Sequence, residues 1–175
     1  MSPNTASLLR LDGGLKVPRL PFAFAHDCSQ SRLGTGEKVF VAAKRAFARW
    51  AQFDLGWVRV ANPQSTMTLG EMIAVEAKTL GLWSLNLSAI VETTDAEDRF
   101  GFIYATSEMH VEDGEERFLL RFDQATGGVW YELEAVSRPR NTFARAGYPI
   151  ARHFQHRFAR DSQRRMLKAV AINTL

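Results

Sequence analysis

Residues 99–138 read RFGFIYATSEMHVEDGEERFLLRFDQATGGVWYELEAVSR, and the fold turns on how they alternate. In RFGFIYAT, ERFLLRFD and GGVWYELEAVS apolar and polar positions change side nearly every residue, and the turn-forming pieces EDGE and QATGG divide the runs. A period of two belongs to strands with two unlike faces, and connections this short join antiparallel neighbours. The pattern extends backwards. In LGEMIAVEAKT, Ile73, Val75 and Ala77 share a face; in LWSLNLSAIVET, Trp83, Leu85, Leu87, Ala89 and Val91 share one opposite Ser84, Asn86 and Ser88. Five successive strands therefore read as an antiparallel meander, with TTDAED as another of its turns.

Helical periods flank the meander. Phe40, Ala43, Phe47, Trp50 and Phe53 lie on one face of a helix from Glu37 to Phe53, entered through Gly34-Thr35-Gly36 with Thr35 as its N-terminal cap. That glycine pair lacks the Lys-Ser/Thr ending of a phosphate-binding loop and the third glycine of a dinucleotide fingerprint. Beyond Pro139, Gly147, Ile150, Ala151, Phe154, Phe158, Ser162, Met166, Ala169 and Val170 form a stripe down a helix that starts near Pro149 and runs to about Val170. Residues 1–35, rich in Pro, Gly and Ser, read as an irregular segment with one short strand at most; residues 36–175 read as a single α+β domain. A half-apolar sheet needs a cover, and one long amphipathic helix supplies it. The expected fold is an antiparallel β meander curled around a long C-terminal helix, with an N-terminal helix. This is a helix-grip arrangement, and it can enclose a cavity.

Composition limits the alternatives. With 46% hydrophobic and 23% charged residues in 175, the chain suits one globular core, and no run approaches the roughly 20 apolar residues of a membrane helix. The first 30 residues lack the layout of a secretory signal, and Cys28 is the sole cysteine, so a cytoplasmic location and no internal disulfide are expected. His26 and Asp27 are too near Cys28 along an extended chain to be read as activating it. The charge is uneven: residues 138–175 hold 9 Lys and Arg against 1 acidic residue, whereas the rest holds 13 against 18. Such a helix could meet nucleic acid or an anionic membrane, but its inner stripe is apolar and no nucleic-acid motif is present. The expected role of its arginines is to pair with the acidic sheet, and neither nucleic acid nor membrane is the expected partner.

The segment HVEDGEE, residues 110–116, concentrates one histidine and four carboxylates. Its spacing matches no calcium loop and offers no second histidine, so no metal site is expected. His153 and His156 stand among Arg152, Arg157 and Arg160, whose charge repels a cation. Strand geometry splits the segment. Glu112, Asp113 and Glu115 belong to a solvated hairpin turn at Asp113-Gly114, whereas Glu116 points to the side of Phe118 and Phe122. On the flanking strands Phe102, Tyr104 and Thr106 share a face, as do Val129, Tyr131, Leu133 and Ala135. An aromatic wall results, with Tyr104, Thr106, Glu116 and Tyr131 as its polar groups and Ser137 or Arg138 as partners for the carboxylate. Trp57 adds a ring for a pocket. Glu116 and His110 are the candidates for acid-base catalysis.

At the level of motifs the chain resembles the family called domain of unknown function nineteen-ninety. The resemblance rests on LGTGEKVFVAAKRAFARWAQFDLGW (33–57), RFGFIYAT with His110 and GEERF (99–118), AVSRP (135–139) and GYPIARHFQHRFARDS (147–162). The chain departs from the family pattern between Tyr104 and His110, where Ala105 to Met109 replace a small, proline-containing stretch with glycine after the tyrosine. The family has no assigned reaction, so the resemblance implies positions and no catalytic roles or cofactor.

Two functions remain open at this point. One is a module that binds an apolar or amphipathic small molecule through Tyr104, Thr106, Glu116, Phe118, Tyr131, Ser137, Arg138 and Trp57. The other is a small enzyme of cyclase, isomerase or hydrolase type using Glu116 or His110. A basic interaction protein is a third, weaker alternative.

Overall fold

The computed structural model describes residues 8–17, 24–106, 112–139 and 142–173. Seven strands form one antiparallel sheet in the order β1-β7-β6-β5-β4-β3-β2. They are β1 (Ala25–Thr35), β2 (Val58–Val60), β3 (Met72–Thr79), β4 (Leu82–Asp95), β5 (Arg99–Thr106), β6 (Glu112–Asp123) and β7 (Gly128–Pro139). The meander read from the sequence is β3 to β7, and β2 extends it at one edge. At the other edge β1 is an 11-residue strand along β7, longer than the short strand allowed for residues 1–35. Its polar alternation, AHDCSQSR, is that of an edge strand with one solvated face.

Helix α1 (Glu37–Ala48) and the long α2 (Thr142–Asn173) cover the concave side. Phe47 of α1 meets Phe100, Phe102 and Tyr131 edge-on at 5.7, 5.7 and 6.1 Å, and Phe53 lies 5.1 Å from Phe118. These are the offset distances aromatic rings prefer, and they make the densest part of the core. Helix α2 is fixed to the sheet where the buried hydroxyls of Tyr131 and Ser162 meet at 2.8 Å. Its basic residues reach acidic partners: Arg152 grips Asp27 of β1, and Arg165 bonds Asp54 at 2.6 Å. No helix among the described residues is long and apolar enough to cross a membrane.

Four local expectations are corrected. Thr35 does not cap α1; it stays in β1 opposite Gly128, and Gly36 takes the N-cap position at φ 95°, a turn out of the strand that a β-branched residue resists. The chain leaves α1 before Phe53: Trp50 adopts φ 60°, and Ala51–Phe53 form a separate 3₁₀ turn. Helix α2 begins at Thr142, and Pro149 lies inside it, exposed, where its missing N–H removes one early backbone bond. Asp113-Gly114 is not a turn; the pair lies within β6 opposite Arg138 and Ser137, so the β5–β6 connection falls in residues 107–111, outside the described residues.

Glu115 is likewise not a solvated turn residue. It is buried on the convex face, where its Oε2 accepts the backbone N–H groups of Leu8 and Leu9 at 2.8 and 3.0 Å. Leu8 and Leu9 pack there on Ile103 and Val136, so the N-terminal segment covers that part of the convex face. Glu115→Ala should lower stability by about 2 kcal/mol, because two buried backbone donors lose their acceptor. Urea denaturation measures the loss, and amide exchange should rise at Leu8 and Leu9. A change below about 0.5 kcal/mol would mean that the carboxylate is solvated after all.

Candidate functional site

Between the sheet and the first half of α2 lies a cavity of about 370 Å³. Its floor comes from β3 and β4, through Val75, Ala77, Ser84, Asn86 and Ser88; its inner end from Tyr104, Thr106, Glu116 and Ser137; its roof from Ile150, Ala151, Phe154, Gln155 and Phe158. The size is within the range of small-molecule sites, and the wall is largely apolar with a few convergent polar groups.

The floor has an unexpected polarity. On β4 it is the polar row, Ser84, Asn86 and Ser88, that faces the cavity, while Trp83 and Leu85 of the apolar row are exposed on the other side. A β-bulge causes this. Pairing with β5 runs Ser88–Thr106, Ala89–Ala105, Ile90–Tyr104 and then skips Val91, so that Glu92 meets Ile103. One extra residue exchanges the two faces of the strand on either side of it. The row Trp83, Leu85, Leu87, Ala89 and Val91, continuous in the sequence, is therefore not the row that joins the main core.

The sequence candidates separate into four groups. Trp57, Tyr104, Thr106, Glu116 and Ser137 all line the cavity. Glu116 and Tyr104 are cross-strand neighbours, and the tyrosine hydroxyl donates to Glu116 Oε2 at 2.6 Å. Burial first, and then the Glu116 carboxylate beside it, hold the Tyr104 hydroxyl well above its ordinary pKa, so it remains a proton donor at neutral pH. Thr106 Oγ1 accepts from the Gly114 N–H at 3.0 Å and donates to the Gly114 carbonyl at 3.3 Å. Gly114 is required there, since a Cβ would fall 2.2 Å from the Val136 carbonyl oxygen. Ser137 Oγ accepts from Gln155 Nε2 at 3.4 Å. Trp57 donates from Nε1 to Asp161 of α2 at 3.0 Å and lies under the Arg157 guanidinium at 4.3 Å.

Phe118 and Tyr131 lie beneath the cavity. Phe118 is fully buried between Tyr104 and Phe53, and Tyr131 is occupied by Ser162. Arg138 is on the opposite face, its guanidinium 4.8 Å from the Phe24 ring, because it alternates with Ser137 along β7. His110 lies outside the described residues. Sequence reading placed Ile150, Ala151, Phe154 and Phe158 on the inner stripe of α2 and Ser84, Asn86 and Ser88 on one face of β4, but assigned none of them to the site. The alternation of Ser84, Asn86 and Ser88 with Trp83, Leu85 and Leu87 in β4 was the available signal for a polar face.

Glu116 also borders a second, smaller cavity of about 120 Å³, lined by Asp27, Ser29, Gln155, His156 and Ala159. Asp27 and Arg152 pair at its rim, and the arginine holds the Asp27 carboxyl below its ordinary pKa. Glu116 thus stands in the wall between two openings.

On the convex face β1 and β7 bring His26, Cys28 and Glu134 together. Glu134 Oε1 lies 2.7 Å from His26 Nε2, and Cys28 Sγ lies 3.3 Å from the same nitrogen. Their ligand atoms all fall within 4.8 Å of one another, a set that could hold a metal ion, although Arg117 already bonds Glu134 at 2.9 Å and opposes further positive charge. Cys28 and Glu134 compete for one nitrogen, so the group does not form a nucleophile–base–orienter relay. Burial pushes the Glu134 carboxyl up, but His26 and Arg117 outweigh it and hold it below its ordinary value. Partial burial and the nearby Glu134 charge push the Cys28 thiol up to about 11. The two His26 and Cys28 side chains do point at one another, contrary to expectation, because residues two apart on a strand share a face.

A model of the family described as Domain of unknown function (DUF1990) matches residues 12–165. The chain is similar to a UPF0548 protein of Dictyostelium discoideum, 37% identical over 161 residues, which span 86% of this chain and 74% of that protein. It is also similar to a UPF0548 protein of Deinococcus radiodurans, 33% identical over 149 residues, with 79% and 74% covered. Among solved structures, its fold is similar to that of ginseng major latex-like protein 151 from Panax ginseng. The TM-score is 0.55 at 12% identity, with 83% of this chain and 97% of that chain covered. A norcoclaurine synthase of Thalictrum gives a TM-score of 0.55 at 8% identity, with 87% and 98% covered. These are helix-grip proteins, and at such identities the likeness is of fold alone.

The Cys28 environment leads to a prediction. A thiol pushed up to about 11 from an ordinary 9.0 leaves roughly a hundredfold less thiolate at pH 8, so iodoacetamide should alkylate Cys28 that much more slowly than a free cysteine. The rate should keep rising to about pH 11. Alkylation at the free-thiol rate would show that neither burial nor the Glu134 charge acts on the sulfur.

Proposed function

From the premise that this chain belongs to the DUF1990 family and has a helix-grip fold, we propose that it binds an amphipathic small molecule between sheet and α2. The observation that carries this reading is the cavity of about 370 Å³ with the Tyr104–Glu116 pair at its inner end. The apolar body of the ligand would lie against Val75, Phe154, Phe158 and Trp57. Its polar end would bear an N–H, O–H or ammonium group, since Glu116 offers an acceptor and the Tyr104 hydroxyl is already committed to it.

A second reading is supported by the same pair. A carboxylate held at 2.6 Å from a protonated phenol, at the end of an apolar cavity, is an arrangement suited to proton abstraction or proton return. Under it the protein is a small acid-base enzyme, with Glu116 as base and Tyr104 as the group that positions its charge. Turnover separates the two readings: in an enzyme Glu116→Gln abolishes product formation even at ligand concentrations that fill the cavity, whereas in a binding module there is no product formation to lose.

Native mass spectrometry of protein purified from cells should detect a bound small molecule, and a screen of apolar amines and alcohols should raise the melting temperature. Ala77→Trp, which places a large ring over the cavity floor, should abolish both effects while the fold persists. Glu116→Gln should weaken ligands with an N–H or ammonium group about tenfold and change wholly apolar probes about twofold or less. No bound molecule, no shift for any compound and no effect of Ala77→Trp would together remove the binding reading.

A further inference from the structure

The β3–β4 hairpin runs past the body of the molecule, and its end is apolar on every side. Leu80 and Leu82 are each 76% exposed, Leu85 is 59% exposed and Trp83 is 48% exposed. Trp83 and Leu85 project from one face of β4, Leu82 from the other, and Leu80 from the two-residue turn between the strands. A flat protein partner would cover one of these faces and leave the rest in water. A medium that surrounds the tip, such as the apolar part of a lipid surface, covers all of them.

The turn itself argues that these side chains are kept for contact. Leu80 and Gly81 both have positive φ, 52° and 86°, the geometry of a tight hairpin turn that favours Asn or Asp followed by Gly. A leucine there is strained, exposed and without benefit to the fold. Charge is consistent with the same contact. From Ala77 to Val91 the hairpin carries no carboxylate, Lys78 is exposed opposite Trp83, and the Arg59 guanidinium, which also pairs with Glu76 of β3 at 2.6 Å, lies 5.1 Å over the Trp83 ring. A tryptophan backed by basic groups suits the boundary between acyl chains and anionic headgroups.

The tip is also the rim of the cavity. Leu80 and Thr79 line it on one side, and Ile150 of α2, 50% exposed, on the other. We propose that the β3–β4 hairpin docks on an anionic lipid surface and that the cavity exchanges its ligand across that contact. The docking surface stands by itself, while the exchange rests on the binding reading given above. Expectation from the sequence looked for a membrane contact in the basic helix α2 and set it aside; the hairpin is a separate feature, hidden until the faces of β4 are known.

The test uses the full chain and phosphatidylcholine vesicles with and without phosphatidylserine. The protein should sediment with the serine-containing vesicles, and Trp83 should be quenched by brominated acyl chains. The double variant Leu80→Ser, Leu82→Ser should bind at least about tenfold more weakly, while Ile172→Ser, at another exposed apolar site, binds as the parent does. Uptake of N-phenylnaphthylamine from water reports on the cavity separately. Vesicle binding that depends on the tip supports docking whether or not the dye enters, and dye uptake without vesicle binding leaves the cavity and overturns the docking. A tip-dependent dimer in light scattering with no vesicle binding would also overturn it, assigning the surface to a second copy of the chain.

Discussion

A sheet that curls has a concave face too broad for one helix to fill, and the layout of this molecule follows from how the excess is handled. Over β5, β6 and β7 the space is taken by α1 and the 3₁₀ turn after it, whose rings interlock with Phe102, Phe118 and Tyr131. Over β3 and β4 no second helix arrives among the described residues. There α2 alone spans the gap, and the volume under it remains open as the cavity. The division between solid core and cavity runs along Tyr104, whose ring stacks on the core and whose hydroxyl faces the opening.

The convex face shows the opposite economy. It carries the charged row Glu115, Arg117 and Glu134, all buried. Burying ions is costly unless each is paired and hydrogen-bonded. Here Arg117 bridges Glu134 and Glu132, His26 and the Gly14 N–H complete Glu134, and the N-terminal segment closes over Glu115 with two backbone donors. The segment is thus held by polar groups of the sheet as well as by Leu8 and Leu9. This is why a stretch without periodicity can still have a defined place.

Strand and helix periods made most of the fold legible in advance, because β3 to β7 each keep an unbroken alternation over several residues and α2 keeps its stripe. The same alternation brought Tyr104, Thr106 and Glu116 to one face before any contact was known. What escaped it was decided between elements. Nothing local says that Glu115 will find Leu8, more than a hundred residues earlier, or that Tyr131 will spend its hydroxyl on Ser162. The placement of Arg138 was legible in principle, since it alternates with Ser137, and reading both as partners of one carboxylate overlooked that. Which face of β4 turns inward was not legible, because the bulge at Val91 is set by the pairing with β5 and leaves no mark in the strand's own alternation.

That bulge at Val91 has a consequence for how such a protein could change over time. Substitutions at the cavity wall alter it one side chain at a time. Loss of a single residue from β4 would instead turn over the whole outer half of the strand, sending Trp83, Leu85 and Leu87 inward and the serines outward. The protein would trade a hollow interior and a greasy exterior for a filled interior and a wettable one, without a single residue type being replaced. Among descendants of such a chain, the length of this strand is therefore a more telling character than the identity of any residue in it, and a count of residues across Val91 would separate hollow forms from solid ones.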